Sequence, residues 1–338
     1  MKFDVEKKNA IIQYIIEKIA EKSDSLVSSV QKTFDINEST VHSYIKKLLE
    51  KEIIRKIKRG EYELTNQTTT FVLHRCNGDL DDDSYAFSKY LKHLIDDLEE
   101  NVKGIWEYTF SEMINNVIDH SQAECAVVEV SRNYLETVVT ITDDGIGIFE
   151  KIKTHFKLDS YDDAVCELFK GKLTTDESRH SGEGIFFSSK IMDGFLIHSS
   201  GKLFTVNKYD DSQMLDLPEF SNEKGTVVIM ALSNRSKKQA KEIFDEYSDE
   251  DSRFVKTKIP LKNIFETSPV SRSQARRICN QLSKFEEVIL DFDKVDWMGQ
   301  GFAHQIFVVF QNEHPGVLLS PVNMNESVRK MYNHVTKS

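Results

Sequence analysis

The run "ECAVVEVSRNYLETVVTITDDGIGI", Glu124 to Ile148, constrains the fold more than any other stretch. Apolar residues alternate on both sides of Asn133. That pattern predicts two antiparallel strands turning near Asn133, with one face buried. A sheet of this kind needs helices to cover its buried face. The preceding "SYAFSKYLKHLIDDLEENVKGIWEYTFSEMINNVIDHS" supplies two, read as broken near Gly104. Further strands follow from "GFLIHSSGKLFTVNKY", turning at Gly201, and from "GTVVIMAL". This order predicts an α/β sandwich.

Different patterns flank it. Residues 5–66 read as three short helices, the second opened by Ser23 or Asp24. An alternating ribbon, "IIRKIKRGEYELT", follows and turns at Gly60. The third helix carries Val41, Tyr44, Ile45, Leu48 and Leu49 on its inner face. Three helices and a hairpin resemble a winged helix-turn-helix, in which the third helix enters the major groove. The resemblance implies base readers at Ser39, Thr40, His42 and Ser43. It implies phosphate contacts at Lys46, Lys47, Arg55, Lys56, Lys58 and Arg59. "TNQTTT" (65–70) reads as a linker or the start of an edge strand. From about 251, strands and helices alternate, which predicts a small doubly wound sheet closed by a helix capped at Asn325. The boundaries expected are therefore 1–66, 67–250 and 251–338, in an α+β multidomain chain.

Composition narrows the classes. The chain has 338 residues and a net charge of −11. That balance argues against nucleic acid covering the whole surface. The charge is uneven, because residues 1–65 hold 13 basic against 11 acidic side chains, +2, which leaves −13 for the rest. Residues 40–59 hold 7 basic and 2 acidic side chains, +5. No apolar run is long enough for a membrane helix, and no signal peptide is read. Cys76, Cys125, Cys166 and Cys279 form no paired motif. They are expected to be buried thiols in a reducing cytoplasm.

The chemistry concentrates in four places. The helix "FSEMINNVIDHS" puts Glu112, Asn116 and His120 four residues apart on one face, with Asn115 beside them. A strand then runs into Asp143, Gly145 and Gly147, offering a carboxylate acceptor and close backbone approach. About 35 residues later comes "SGEGI", Ser181, Gly182, Glu183, Gly184 and Ile185, opening a helix. Thr226 follows Gly225 at the start of a strand.

Taken jointly, ExxxN, DxGxG, GxG and GT resemble the GHKL ATPases: gyrase-type topoisomerases, histidine kinases and large heat-shock chaperones. The resemblance covers roughly residues 70–235 and implies their α/β sandwich, the Bergerat fold, with ATP and Mg2+. It implies Glu112 as the carboxylate that polarises water and Asn116 as the magnesium ligand. Asp143, supported by Thr226, accepts from the adenine amine, and Gly145 and Gly147 shape its pocket. Ser181 to Ile185 form the phosphate loop. Lys172, Arg179 and Lys190 are further candidates for phosphate or lid contacts, and 149–181 is the lid. Glu183 departs from the pattern, since a carboxylate there repels phosphate unless it turns away or pairs with a cation.

The third segment, "VILDFDKVDWMGQGFAHQIFVVF", resembles STAS-like domains. Where anti-sigma-type kinases phosphorylate a serine in their STAS partners, this chain reads Met298, Gly299, Gln300, Gly301. A docking or dimer module is expected instead, with Trp297, Phe302 and Phe307 in its core. Together the resemblances imply a bacterial, cytoplasmic ATP-binding regulator. In it the nucleotide state controls a DNA- or partner-binding module, with slow hydrolysis. Two alternatives stand: a serine/threonine kinase acting on a separate STAS partner, and a non-catalytic ATP-binding module in phage defence. The sequence leaves a homodimer open and calls for no membrane.

Overall fold

A computed structural model describes residues 4–173, 182–206, 224–265 and 267–337. Its N-terminal part is three helices, Val5–Ala20, Leu26–Phe34 and Glu38–Glu50. The antiparallel hairpin β1 (Ile54–Lys58) and β2 (Glu61–Leu64) follows. Asp4 caps the first helix and Asn37 the third, each accepting from a backbone amide three residues on. The second helix begins after Ser25, later than Ser23 or Asp24, and has no side-chain cap. Gly60 turns the hairpin at φ +82°, a conformation that suits glycine. Ile11, Ile15, Val30, Val41 and Ile45 form a separate small core, against which Tyr134 and Leu135, in the turn after Asn133, pack.

The central sheet has six antiparallel strands in the order β3-β4-β5-β8-β6-β7. They are β3 (Gln67–His74), β4 (Cys125–Arg132), β5 (Glu136–Asp143), β6 (Gly194–Ser199), β7 (Lys202–Thr205) and β8 (Thr226–Ser233). The polar "TNQTTT" stretch thus enters an edge strand. Asn133 makes the β4–β5 turn, its Oδ1 accepting from the amides of Leu135 and Glu136. Val128, Val139 and Ile141 face the core beside Trp106, Phe110 and Met113 of the Glu100–Asn115 helix. The expected break near Gly104 lies earlier, because the Lys92–Ile95 helix ends before Glu99 and Gly104 sits inside the next helix. A Cβ there would meet nothing within 4 Å, so the glycine answers no packing need.

The C-terminal part is a parallel sheet in the order β11-β10-β9, built from β9 (Lys256–Pro260), β10 (Glu287–Asp291) and β11 (Leu318–Val322). Ser271 and Gln274 form a capping box on the Arg272–Cys279 helix. Asn325 caps Glu326–Thr336 by accepting from Val328 N at 2.9 Å. Phe302 and Phe307 are buried as expected, but Trp297 is 50% exposed and is not core. The thiols differ too: Cys166 is buried, Cys125 and Cys279 are half-buried, and Cys76 is exposed.

Two features depart from a free lid and a free third domain. One apolar cluster runs from Leu73 through the central sheet to Val335, so residues 251–338 share their core with the sandwich. The expected lid contains the helices Ile148–Phe156 and Tyr161–Lys170, and Ala164 to Lys170 are all buried. Lys170 Nζ donates to the carbonyl oxygens of Arg277 and Asn280, both at 2.8 Å. Thr257 Oγ1 donates back to Lys170 O at 2.7 Å. Arg277 also pairs with Asp163. The described part of this segment is therefore docked; residues 174–181, with Arg179 and Ser181, lie outside the described residues.

Candidate functional site

The Glu100–Asn115 helix does not stop at Asn115. It continues through a wider π turn, Asn116–Ser121, in which the angular step per residue is smaller. Glu112, Asn115, Asn116 and His120 consequently border one cavity of about 240 Å³. The turn ends on Ser121, whose carbonyl accepts from Ile146 N at 2.9 Å. This bond ties the helix to the turn after β5. A Cβ at Gly145 would lie 2.3 Å from the same oxygen, so only glycine lets the two segments meet.

Asp143, at the end of β5, also lines the cavity and is 7% exposed. It accepts from Gly145 N at 2.8 Å. Burial pushes its carboxyl up to about 6, against the lowering effect of bonds from Gly145 and Thr226. The adjacent Asp144 has another task, since its Oδ1 accepts from Glu124 N and Cys125 N at 3.0 Å each. Gly147, at φ +84°, opens the Ile148–Phe156 helix, and Ile148 N donates to Thr226 Oγ1 at 3.0 Å. Gly147, Ile148 and Thr226 line the cavity. Met113, Val117, Ile141, Ile197 and Val228 give it an apolar wall.

Gly182, Gly184 and Ile185, at the start of the Gly184–Ile191 helix, also line the cavity. Gly182, at φ +74°, presents its carbonyl to Leu173 N at 3.1 Å. A Cβ on Gly184 would stand 1.9 Å from Glu112 Oε2. The carboxylate therefore lies directly over the backbone at the helix start.

Four of the expected residues stand off the cavity. Gly145 acts from behind it, as just described. Glu183 borders a neighbouring hollow with Tyr108, Phe187 and Phe244. There burial, then Glu112 and Glu183, raise the Tyr108 phenol. Lys172 turns to the C-terminal part, donating to Lys284 O at 2.9 Å with its ammonium 4.8 Å from the Phe285 ring centre. Burial lowers its pKa, with the Glu183 charge opposing. Lys190 lies at the far end of its helix, over the Phe186 ring at 5.0 Å. Its amine falls to about 8 through burial, then the nearby Lys258 charge. Neither lysine faces the cavity. Lys151 does, and sequence reading missed it. Its signal was available: it is the first cation after DxGxG, one helical turn beyond Ile148.

Ser39, His42, Ser43, Lys46 and Lys47 are exposed on one face of the third helix, opposite the buried Val41, Tyr44, Ile45 and Leu48. Thr40 is half-buried, and its hydroxyl donates to Asn37 Oδ1 at 2.7 Å. On the hairpin, Arg55 pairs with Glu63, and Lys58 with Glu61 at 2.7 Å.

Residues 105–236 match the family model of histidine kinase-, DNA gyrase B-, and HSP90-like ATPases, which contains the whole cavity lining. Residues 274–329 match that of a STAS-like domain of unknown function. No curated protein matches the chain. No helix is long and apolar enough to cross a membrane among the described residues. The chain thus carries a GHKL ATPase domain and a STAS-like domain, a pairing that supports an ATP-binding regulatory function.

Proposed function

We propose that this protein is an ATP- and Mg2+-binding regulator whose nucleotide state is transmitted to its two flanking modules. The observation that carries the reading is the shared helix Tyr161–Lys170. Leu168 lines the cavity, while Lys170, two residues on, is bonded to the STAS-like part. A ligand that favours one position of this helix must favour one arrangement of that domain. Such a bias needs different affinities for the two arrangements.

Asp143 accepts from the adenine amine, with Thr226 fixing its place, and the apolar wall takes the ring. Gly182, Gly184 and Ile185 offer backbone amides to the phosphates at a helix N-terminus. The Asn116 amide oxygen, on the cavity wall, is a hard oxygen donor that suits Mg2+. No group of three His, Cys, Asp or Glu side chains clusters for a metal among the described residues. Bound there, Mg2+ would neutralise phosphate charge. Glu112 orients water and takes up its proton, giving slow hydrolysis. Lys151, a cation among the described cavity-lining residues, is available to phosphate. Glu183 borders the neighbouring hollow together with Tyr108 and Glu112, which supports a place for it outside the phosphate contacts.

The N-terminal module serves as a winged helix contacting DNA, through the exposed face that holds Lys46 and Lys47. Titration with ATP and Mg2+ tests the whole reading. Glu112→Ala should bind as the native protein does and lose turnover, whereas Asp143→Ala should lose binding. Native-rate hydrolysis by Glu112→Ala would overturn the catalytic assignment. Labelled phosphate found on protein instead of free in solution would point to a kinase.

A further inference from the structure

The sheet edges of this protein are guarded in every case but one among the described residues. The edge strand β7 is only four residues long and carries Lys202, paired with Asp162. β9 carries Lys256, Lys258 and Pro260, and β11 carries Pro321. Short length, lysines and prolines are the usual defences against strand addition. β3 has none of them. It runs eight residues, "QTTTFVLH", with no proline and no Asp, Glu, Lys or Arg. Its register with β4 is unbroken from Gln67↔Arg132 to His74↔Cys125, so no bulge turns it away.

The backbone polarity of β3 can be read directly. Arg75 N donates to Glu124 O, on the β4 side, while His74 N donates outward to Asp79 Oδ2 at 3.1 Å. Successive residues alternate in direction along an antiparallel ladder. Thr68, Thr70 and Val72 therefore point their N–H and C=O groups off the free edge. All three are exposed, Val72 by 51%. Asp79 satisfies the next outward amide, that of His74, and so ends the open stretch.

We infer that β3 is a dimer interface, pairing antiparallel with β3 of a second copy about a two-fold axis at Thr70. Thr70 faces its own copy, and Thr68 faces Val72. Each of these outward groups gains a partner, and two six-stranded sheets become continuous. Charge selects this partner and this direction. β3 follows a hairpin in which Arg55 and Lys58 are paired with Glu63 and Glu61, so that Lys56 and Arg59 leave it at +2, and it runs into an acidic stretch with Asp81, Asp82 and Asp83, Asp79 being buried and paired with Lys89. Antiparallel pairing brings the acidic end of each copy toward the basic end of the other. Parallel pairing would set like against like. The assembly carries two N-terminal modules related by the same axis, as a contact with a two-fold symmetric site would require.

Sedimentation velocity on the full chain, over a hundredfold range of concentration, tests this pairing. The native protein should move from monomer to dimer. Thr70→Lys and Thr70→Glu each place two like charges directly opposite one another, and each should be monomeric. Mixing the two variants should restore the dimer. Circular dichroism of both variants should match the native protein, and so should thermal midpoints taken at concentrations where the native protein is a monomer, because the Thr70 side chain is exposed. A native monomer at every concentration would overturn the inference. So would a dimer that persists in the folded single variants, or a mixture that stays monomeric.

Discussion

Lys170 Nζ lies 2.7 Å from Glu167 Oε1, one helical turn back, and their side chains are 1% and 3% exposed. Asn280 Nδ2 donates to the same carboxylate at 2.7 Å. The ammonium meanwhile donates to two carbonyl oxygens at the end of the Arg272–Cys279 helix. A helix C-terminus is the favourable end for a cation. The ATPase and STAS-like parts are thus joined through a satisfied, buried charge network.

Removing one member of such a pair leaves the other charge buried without compensation. Lys170→Met should cost about 3–5 kcal/mol of unfolding free energy. Lys170→Met with Glu167→Leu should recover much of that loss, because no lone charge remains. Denaturant unfolding of the two variants checks both outcomes. If the single change costs nothing, the network is not a latch.

Asp143 predicts a pH dependence of the nucleotide-free protein. Its carboxyl titrates near 6 when folded, against an ordinary 3.8. Between those values the unfolded chain has released a proton that the folded one retains, so this group lowers stability as pH rises. Asp143→Asn should remove that slope and stabilise the free protein at pH 7 by about 2–3 kcal/mol. Melting curves from pH 4 to pH 7 would show it. Nucleotide affinity should fall in the same variant, since the adenine loses its charged acceptor.

Two glycines should respond oppositely to alanine. Gly225 sits at φ +86°, and a Cβ there would lie 2.0 Å from Asp143 O. Gly225→Ala should cost more than about 2 kcal/mol and disturb the adenine site with it. Gly104 lies within a helix with open space around it. Gly104→Ala should stabilise by about 0.5–1 kcal/mol. Thermal unfolding measures both.

DNA binding by the N-terminal module should depend most on Lys46 and Lys47. Lys46 has only a 3.8 Å neighbour, Glu50, and Lys47 stands over the Tyr44 ring. Arg55 and Lys58 are already paired with Glu63 and Glu61. Lys46→Ala and Lys47→Ala should each weaken binding and reduce the logarithmic salt slope by about 1, with smaller effects from Arg55→Ala and Lys58→Ala. Fluorescence anisotropy over a salt series distinguishes them. Equal effects from all four would contradict this ranking.

Sequence alone determined the local items. Alternation places β4 and β5, Asn325 reads as a cap, and Glu112, Asn116, Asp143 and Thr226 stand out by residue type and spacing. Each depends on neighbours in the chain or on residue chemistry, which a sequence displays. Tertiary structure decided where the long cations go. Lys172 and Lys190 are phosphate ligands by type, but each has several rotatable bonds: the Lys284 carbonyl and the Phe285 ring of a distant segment direct Lys172, while Lys190 lies over the Phe186 ring one helical turn back. Glu183 turns to a hollow formed by Tyr108, Phe187 and Phe244, which come from three different helices. The charges of the lid segment suggest solvent and mobility. Glu167 and Lys170 are in fact buried by residues more than a hundred positions later. No periodicity records a partner so far along the chain, and only the folded packing could supply it.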